Sequence, residues 1–137
     1  QRAKIGGCVV VESNKTVLIV DDEAIIRQCV QVELESHRGW KVLQADTGIS
    51  GLATAKEQQP DLILLDVTMP EMDGITALRK LQQDEATRHI PVIMLTALSD
   101  DSDRRIYGEL GATWLISKPF DLMAFPNQVE TIMGWTS

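Results

Sequence analysis

The chain has 137 residues, 44% of them hydrophobic, which suits one domain built around a single core. Its 13 basic and 20 acidic residues give a formal net charge of −7, a field that repels nucleic acid and anionic membrane surfaces. The apolar runs are four or five residues long, against the roughly 20 needed to cross a bilayer, and Cys8 and Cys29 match neither a metal spacing nor a disulfide framework. A cytoplasmic location is therefore expected, with no membrane partner and no direct nucleic-acid partner.

Residues 1–14 hold one short apolar run, Cys8 to Val11, which is too brief for a signal peptide. They are read as an N-terminal extension, a tag or linker, ahead of a domain at 15–137. Residues 16–20 are short and β-rich, as a strand buried on both faces is. From Ala24 the apolar residues recur at helical spacing to about 36–39, with Asp22 and Glu23 placed to favour the positive end of the helix dipole. A second strand at 41–45 and a weak helix at 47–58, closed by Pro60, follow.

The third strand, 62–66, runs into the loop Thr68-Met69-Pro70-Glu71-Met72-Asp73-Gly74, and a helix is predicted at 75–83. The fourth strand is 92–95; Ser99, Asp100 and Asp101 cap a helix that stops at Gly111. A fifth strand at 113–117 is followed by Pro119-Phe120-Asp121, which introduces a last helix ending near Met133. Five strands alternating with five helices predict a doubly wound α/β fold, flavodoxin-like, with a parallel sheet in the order 2-1-3-4-5. Ligands in such sheets sit beyond the carboxyl ends of the strands, at the switch point between strands one and three.

Four apolar runs end on groups that would meet there. They are Asp21-Asp22 after strand one, Asp66 after strand three, Thr96 after strand four and Lys118 after strand five. Three crowded carboxylates repel one another and raise the proton affinity of at least one, unless a cation intervenes. The all-oxygen donor set, with no histidine or thiolate beside it, points to Mg²⁺ rather than Zn²⁺. With the ion in place one carboxylate can attack phosphorus. Asp66 is the candidate nucleophile, Asp21 and Asp22 the pair that holds the ion, Lys118 the positive charge and Thr96 the hydroxyl donor for the phosphoryl oxygens. Taken singly, each has a bland reading as a helix cap, a turn residue or a solvated side chain; four different strand ends together do not.

Val-Asp-Asp-Glu at 20–23, Leu-Asp-Val-Thr-Met-Pro-Glu-Met-Asp-Gly at 65–74, Leu-Thr-Ala at 95–97 and Lys-Pro-Phe at 118–120 resemble the receiver domain of bacterial two-component response regulators. The resemblance covers about residues 15–135. It implies a phospho-accepting signalling domain that takes a phosphoryl group from a sensor histidine kinase or phosphotransfer protein onto Asp66, with Mg²⁺ as cofactor. It further implies that Asp22, Asp66 and the backbone carbonyl of Thr68 ligate the ion, that Asp21 acts mostly through water, that Thr96 swings toward the phosphoryl group, and that the Lys118-Pro119 bond is cis. Downstream partners or an output domain would dock on helix four, strand five and helix five.

One position departs from the pattern. The site that usually carries an aromatic switch residue is Leu115, while Trp114 points to the opposite face of the strand. Leucine cannot copy an aromatic rotamer flip, and coupling through helix four is the alternative. Surface or helix packing is expected for Trp114, a solvated face for Tyr107, Arg104 and Arg105, exposed loops for His37 and His89, and helix packing for Met133 and Trp135. Two rival functions fit less well. A flavin protein needs a Gly, Ser and Thr-rich loop where Asp21-Asp22-Glu23 stands. A phosphatase with an aspartyl nucleophile needs a second acid two residues beyond Asp66, where Thr68 stands. The domain either acts alone through changing partner contacts or belongs to a larger protein.

Overall fold

The computed structural model describes residues 2–5, 8–11, 15–69, 72–97 and 101–135. Five parallel strands form its sheet: β1 (Thr16–Val20), β2 (Lys41–Ala45), β3 (Leu62–Asp66), β4 (Val92–Thr96) and β5 (Trp114–Ser117), in the order β2-β1-β3-β4-β5. The helices are α1 (Ala24–Arg38), α2 (Gly48–Gln58), α3 (Gly74–Gln83), α4 (Asp101–Glu109) and α5 (Phe125–Met133). The predicted order 2-1-3-4-5 is thus observed. Arg2–Ile5 and Cys8–Val11, in the segment expected to be an extension, tag or linker, pair antiparallel as a separate two-stranded ribbon.

β3 and β4 are buried along their whole length, so their near-continuous apolar composition is what a strand covered on both faces requires. Alternation sorts the side chains into two cores. Leu18, Ile63, Met94 and Leu115 pack on one face, and Ile19, Leu64, Ile93 and Ile116 on the other. Trp40 and Trp135 meet edge to face at 5.1 Å, the C-terminal packing expected for Trp135.

Local signals fix the helix ends. Gly39 closes α1 at φ 68°, a left-handed conformation that glycine adopts without a Cβ penalty. The Ser50 N–H donates to Thr47 Oγ1 at 3.0 Å and caps α2, and the Thr76 N–H donates to Asp73 Oδ1 at 2.7 Å and caps α3. That bond from the Thr76 amide holds the Asp73 carboxyl below the usual aspartate range. The expected caps Ser99 and Asp100 lie outside the described residues.

Three expectations need correction. The last helix begins at Phe125, later than Pro119-Phe120-Asp121 suggested, because the Asp121 carboxylate accepts the Met123 N–H at 2.9 Å and closes a turn first. Pro126 then occupies the first helical turn, where its missing N–H costs nothing. His37 is exposed but helical, in the last turn of α1, and pairs with Glu33 at 3.0 Å. Tyr107, read as part of a solvated face, is buried at 6% exposure, whereas its neighbours Arg104 and Arg105 are exposed.

Candidate functional site

Strand alternation decides which groups share a face at the carboxyl edge. Asp21 continues the alternation of Val17 and Ile19, Asp66 that of Leu62 and Leu64, and Lys118 that of Ile116, so these three aim toward the α1 and α5 side. The structure brings them into contact. Lys118 Nζ lies 2.9 Å from Asp21 Oδ2 and 3.1 Å from Asp66 Oδ1. The Lys118-Pro119 peptide is cis. Asp21 and Asp66 are buried, at 0% and 4% exposure, and Asp22 is exposed at the rim.

One ligand oxygen from each of Asp21, Asp22 and Asp66 fits within 4.8 Å of the others. The Thr68 N–H donates to Asp66 Oδ1 at 3.4 Å, a long contact, and the Thr68 side chain is exposed. Thr96 continues the alternation of Val92 and Met94, so it points to the other face of the sheet from Asp66 and reaches the cluster only over the edge. Its strand end is nonetheless tied to Lys118, whose N–H donates to the Thr96 carbonyl at 2.7 Å.

Burial, and after it the Asp21 carboxylate, raises the proton affinity of Asp66 above that of an ordinary aspartate; Lys118 and the Thr68 amide offset this only in part. For Lys118, burial is the largest single influence and opposes the ammonium, but Asp21 and Asp66 together outweigh it and the pKa is raised. Two buried acids, Asp21 and Asp66, thus face one ammonium, with Glu23 a further 3.8 Å contact. A hard divalent cation fits this all-carboxylate donor set, and its charge would offset both the burial and the Asp21 repulsion that raise the Asp66 pKa.

The raised value gives a signed prediction. Asp66 contributes most to stability when protonated: that contribution is intact below the ordinary aspartate value of 3.8 and is lost as pH rises through the higher value set by the fold. Asp66→Asn is therefore expected to raise the melting temperature of the metal-free protein at neutral pH and to flatten its decline from acid to neutral pH. Scanning calorimetry in chelator checks this, and a lowered melting temperature would contradict it.

Three residues support the site in ways the sequence did not assign to them. Arg27 Nη1 donates to the Asp21 carbonyl at 2.7 Å and its Nε to Gln44 Oε1 at 3.1 Å, pinning the acid-bearing loop between α1 and β2. The Glu23 N–H donates to Asp21 Oδ1 at 2.9 Å, so Glu23 shapes the loop through its backbone as well as its charge. Gly74 abuts the acid-bearing strand end: a Cβ there would lie 2.3 Å from the Asp66 carbonyl oxygen and 2.7 Å from Val67 Cα. The Asp-Gly pair before a helix was a signal for Gly74, and no local pattern marks Arg27. At the departure from the family pattern, Leu115 is buried at 5% exposure, while Trp114 is 50% exposed beneath the Arg104 guanidinium, 5.7 Å from its ring centre.

A flavodoxin-like α/β domain with an acid and lysine cluster at the switch point of its sheet is the class that this fold and site define. Residues 17–130 match the family described as the response regulator receiver domain, and the chain belongs to that family. It is 47% identical over 123 residues to the phosphate regulon transcriptional regulatory protein PhoB of Pseudomonas aeruginosa, covering 89% of this chain and 53% of that protein. It is 41% identical over 120 residues to the DNA-binding dual master transcriptional regulator RpaA of Synechocystis, covering 88% and 49%. The chain thus spans about half the length of these two relatives. The polar-differentiation response regulator DivK of Brucella ovis, 32% identical, is matched over 88% of this chain and 97% of its own. Among solved structures, the chemotaxis protein CheY4 of Vibrio cholerae superposes with a TM-score of 0.80 at 29% identity, over 88% of this chain and 99% of that one. The chain is a receiver domain of the two-component type, a regulatory domain, and no helix among the described residues is long and apolar enough to cross a membrane.

Proposed function

We propose that this domain accepts a phosphoryl group on Asp66 from the phosphohistidine of a sensor kinase or phosphotransfer protein, using Mg²⁺ held by Asp22, Asp66 and the Thr68 carbonyl, with Asp21 acting through water. The observation that carries this reading is the contact of Lys118 Nζ with both Asp21 and Asp66, at 2.9 and 3.1 Å, beside an oxygen cluster of three acids. The bound ion would cancel the repulsion between the acids and an incoming phosphate. A carboxylate oxygen of Asp66 forms the new P–O bond as the donor's P–N bond breaks, and the imidazole nitrogen keeps that electron pair and takes up a proton. Lys118, already 3.1 Å from Asp66, moves its ammonium to a phosphoryl oxygen, and Thr96 supplies a hydroxyl donor to another.

The same arrangement admits water to the phosphorylated carboxyl, so the domain promotes its own dephosphorylation as well as its phosphorylation. Partners dock on α4, β5 and α5, and these are proteins or an attached output domain. The net charge of −7 argues against nucleic acid as this domain's own ligand and suits a cytoplasmic regulator. Acetyl phosphate with Mg²⁺ is expected to add one phosphoryl group per chain, localised by peptide mass spectrometry to the segment containing Asp66, and chelation of Mg²⁺ is expected to prevent it. Modification elsewhere, or at equal rate in chelator, would overturn the assignment.

A further inference from the structure

Of the described side chains of α4, Tyr107 alone is buried; Arg104, Arg105, Ile106 and Glu109 are exposed. Among its described side chains this is the one that anchors the helix over β5, and a segment with so little buried surface belongs to the easily displaced end of a protein's local stabilities. Tyr107 shares a core cluster with Met94 and Leu115, which are directly opposed in the β4–β5 register. Two residues further along the same strands stand Thr96 and Ser117, also opposed and on the same face. A cavity of about 100 Å³ adjoins the ring, lined also by Leu115, Trp114 and Gly108. Gly108 is exposed, and a Cβ there would meet nothing within 4 Å.

A buried ring that borders a cavity can shift without overlapping close-packed neighbours, and discrete rearrangements of this kind are what convert a small shift into a switch. The strand offers Leu115 at the position facing the helix, and the bulky aromatic comes from the helix instead. We propose that Tyr107 is the lever that carries occupancy of the Asp66 site to α4. Drawing Thr96 toward a phosphoryl group shifts the end of β4, and the ring moves relative to Met94 and Leu115. α4 then moves with it, altering the exposed Arg104–Trp114 pair on the docking face. This rests on the reading of Asp66 as the acceptor.

The chain contains a single tyrosine, so 3-fluorotyrosine gives one ¹⁹F resonance that reports on Tyr107 alone. Intact mass measures phosphoryl loading from acetyl phosphate and Mg²⁺ in the same sample. On loading, the resonance is expected to move or split, and hydrogen exchange of the α4 amides to change by about fivefold or more. Tyr107→Leu is expected to load to the same extent with α4 exchange unchanged by loading, while Tyr107→Phe behaves as the unsubstituted protein. A loaded protein with an unmoved resonance, or a Tyr107→Leu variant with the full α4 response, overturns the lever. If Tyr107→Leu fails to fold, the fluorotyrosine signal and the Phe variant decide. Absence of loading in the unsubstituted protein refutes the Asp66 reading itself and the lever with it.

Discussion

Asp66→Asn is expected to reduce phosphoryl uptake from acetyl phosphate and Mg²⁺ to background while leaving the fold intact. The substitution keeps the shape of the side chain and an oxygen that can accept from Lys118, now at 3.1 Å, so it removes little packing. What disappears is the anionic oxygen that forms the bond to phosphorus, and a neutral amide is no nucleophile. Asp21 is not a ready substitute, because it is fully buried and engaged by Lys118 at 2.9 Å and by the Glu23 amide. The expected loss is therefore of the chemistry itself, not of a few-fold in rate, and phosphate-affinity electrophoresis of both proteins reads it directly. Labelling of the variant at full stoichiometry would refute Asp66 as acceptor.

The second large effect is expected at a residue with no chemistry of its own. Gly74→Ala places a methyl group 2.3 Å from the Asp66 carbonyl and 2.7 Å from Val67 Cα, atoms of backbone that cannot rotate aside. The Gly74 N–H also donates to the Val67 carbonyl at 2.7 Å, so the start of α3 is stitched to the end of β3 at this point. Relief requires that one of them move. The cost is expected at about 3 kcal/mol, with a fall in melting temperature on the order of 10 °C. Mg²⁺ affinity and phosphoryl uptake should fall together, because displacement reaches the strand end that carries Asp66. Gly39→Ala is the control: its φ of 68° is strained for alanine, but a Cβ there meets nothing within 4 Å, so it should cost about 1 kcal/mol and leave the site untouched. Thermal melts and Mg²⁺ titrations of the two variants separate these cases, and equal effects on the site would show that the close approach at Gly74 is not what matters.

These effects differ in how far a reader of the chain alone could have seen them. Asp21, Asp66 and Lys118 were legible because each ends an apolar run, and in a parallel sheet the ends of adjacent runs are neighbours. Arg27 was not, because its bond to the Asp21 carbonyl depends on how α1 lies across the loop that precedes it. Tyr107 was misjudged for a related reason. Its helix carries many charged residues, and the pattern reads as a solvated face until β5 is set beneath one turn of it. The start of α5 was misplaced because Asp121 could serve either a turn or a helix, and only the turn leaves Pro126 in the first helical turn.

The sequence by itself determined the alternation of elements, the order of the sheet and which polar groups stand at the strand ends, because strand period and run length act locally and each run carries its own terminal residue. The tertiary structure alone decided that Asp66 and Asp21 share one ammonium and that Thr96 lies across the sheet edge from them. It also decided that a glycine must stand against the Asp66 backbone and that Tyr107 is the buried one among the described side chains of α4. Those facts depend on distances between segments remote in the chain, which close packing sets to within an ångström and which local patterns do not encode.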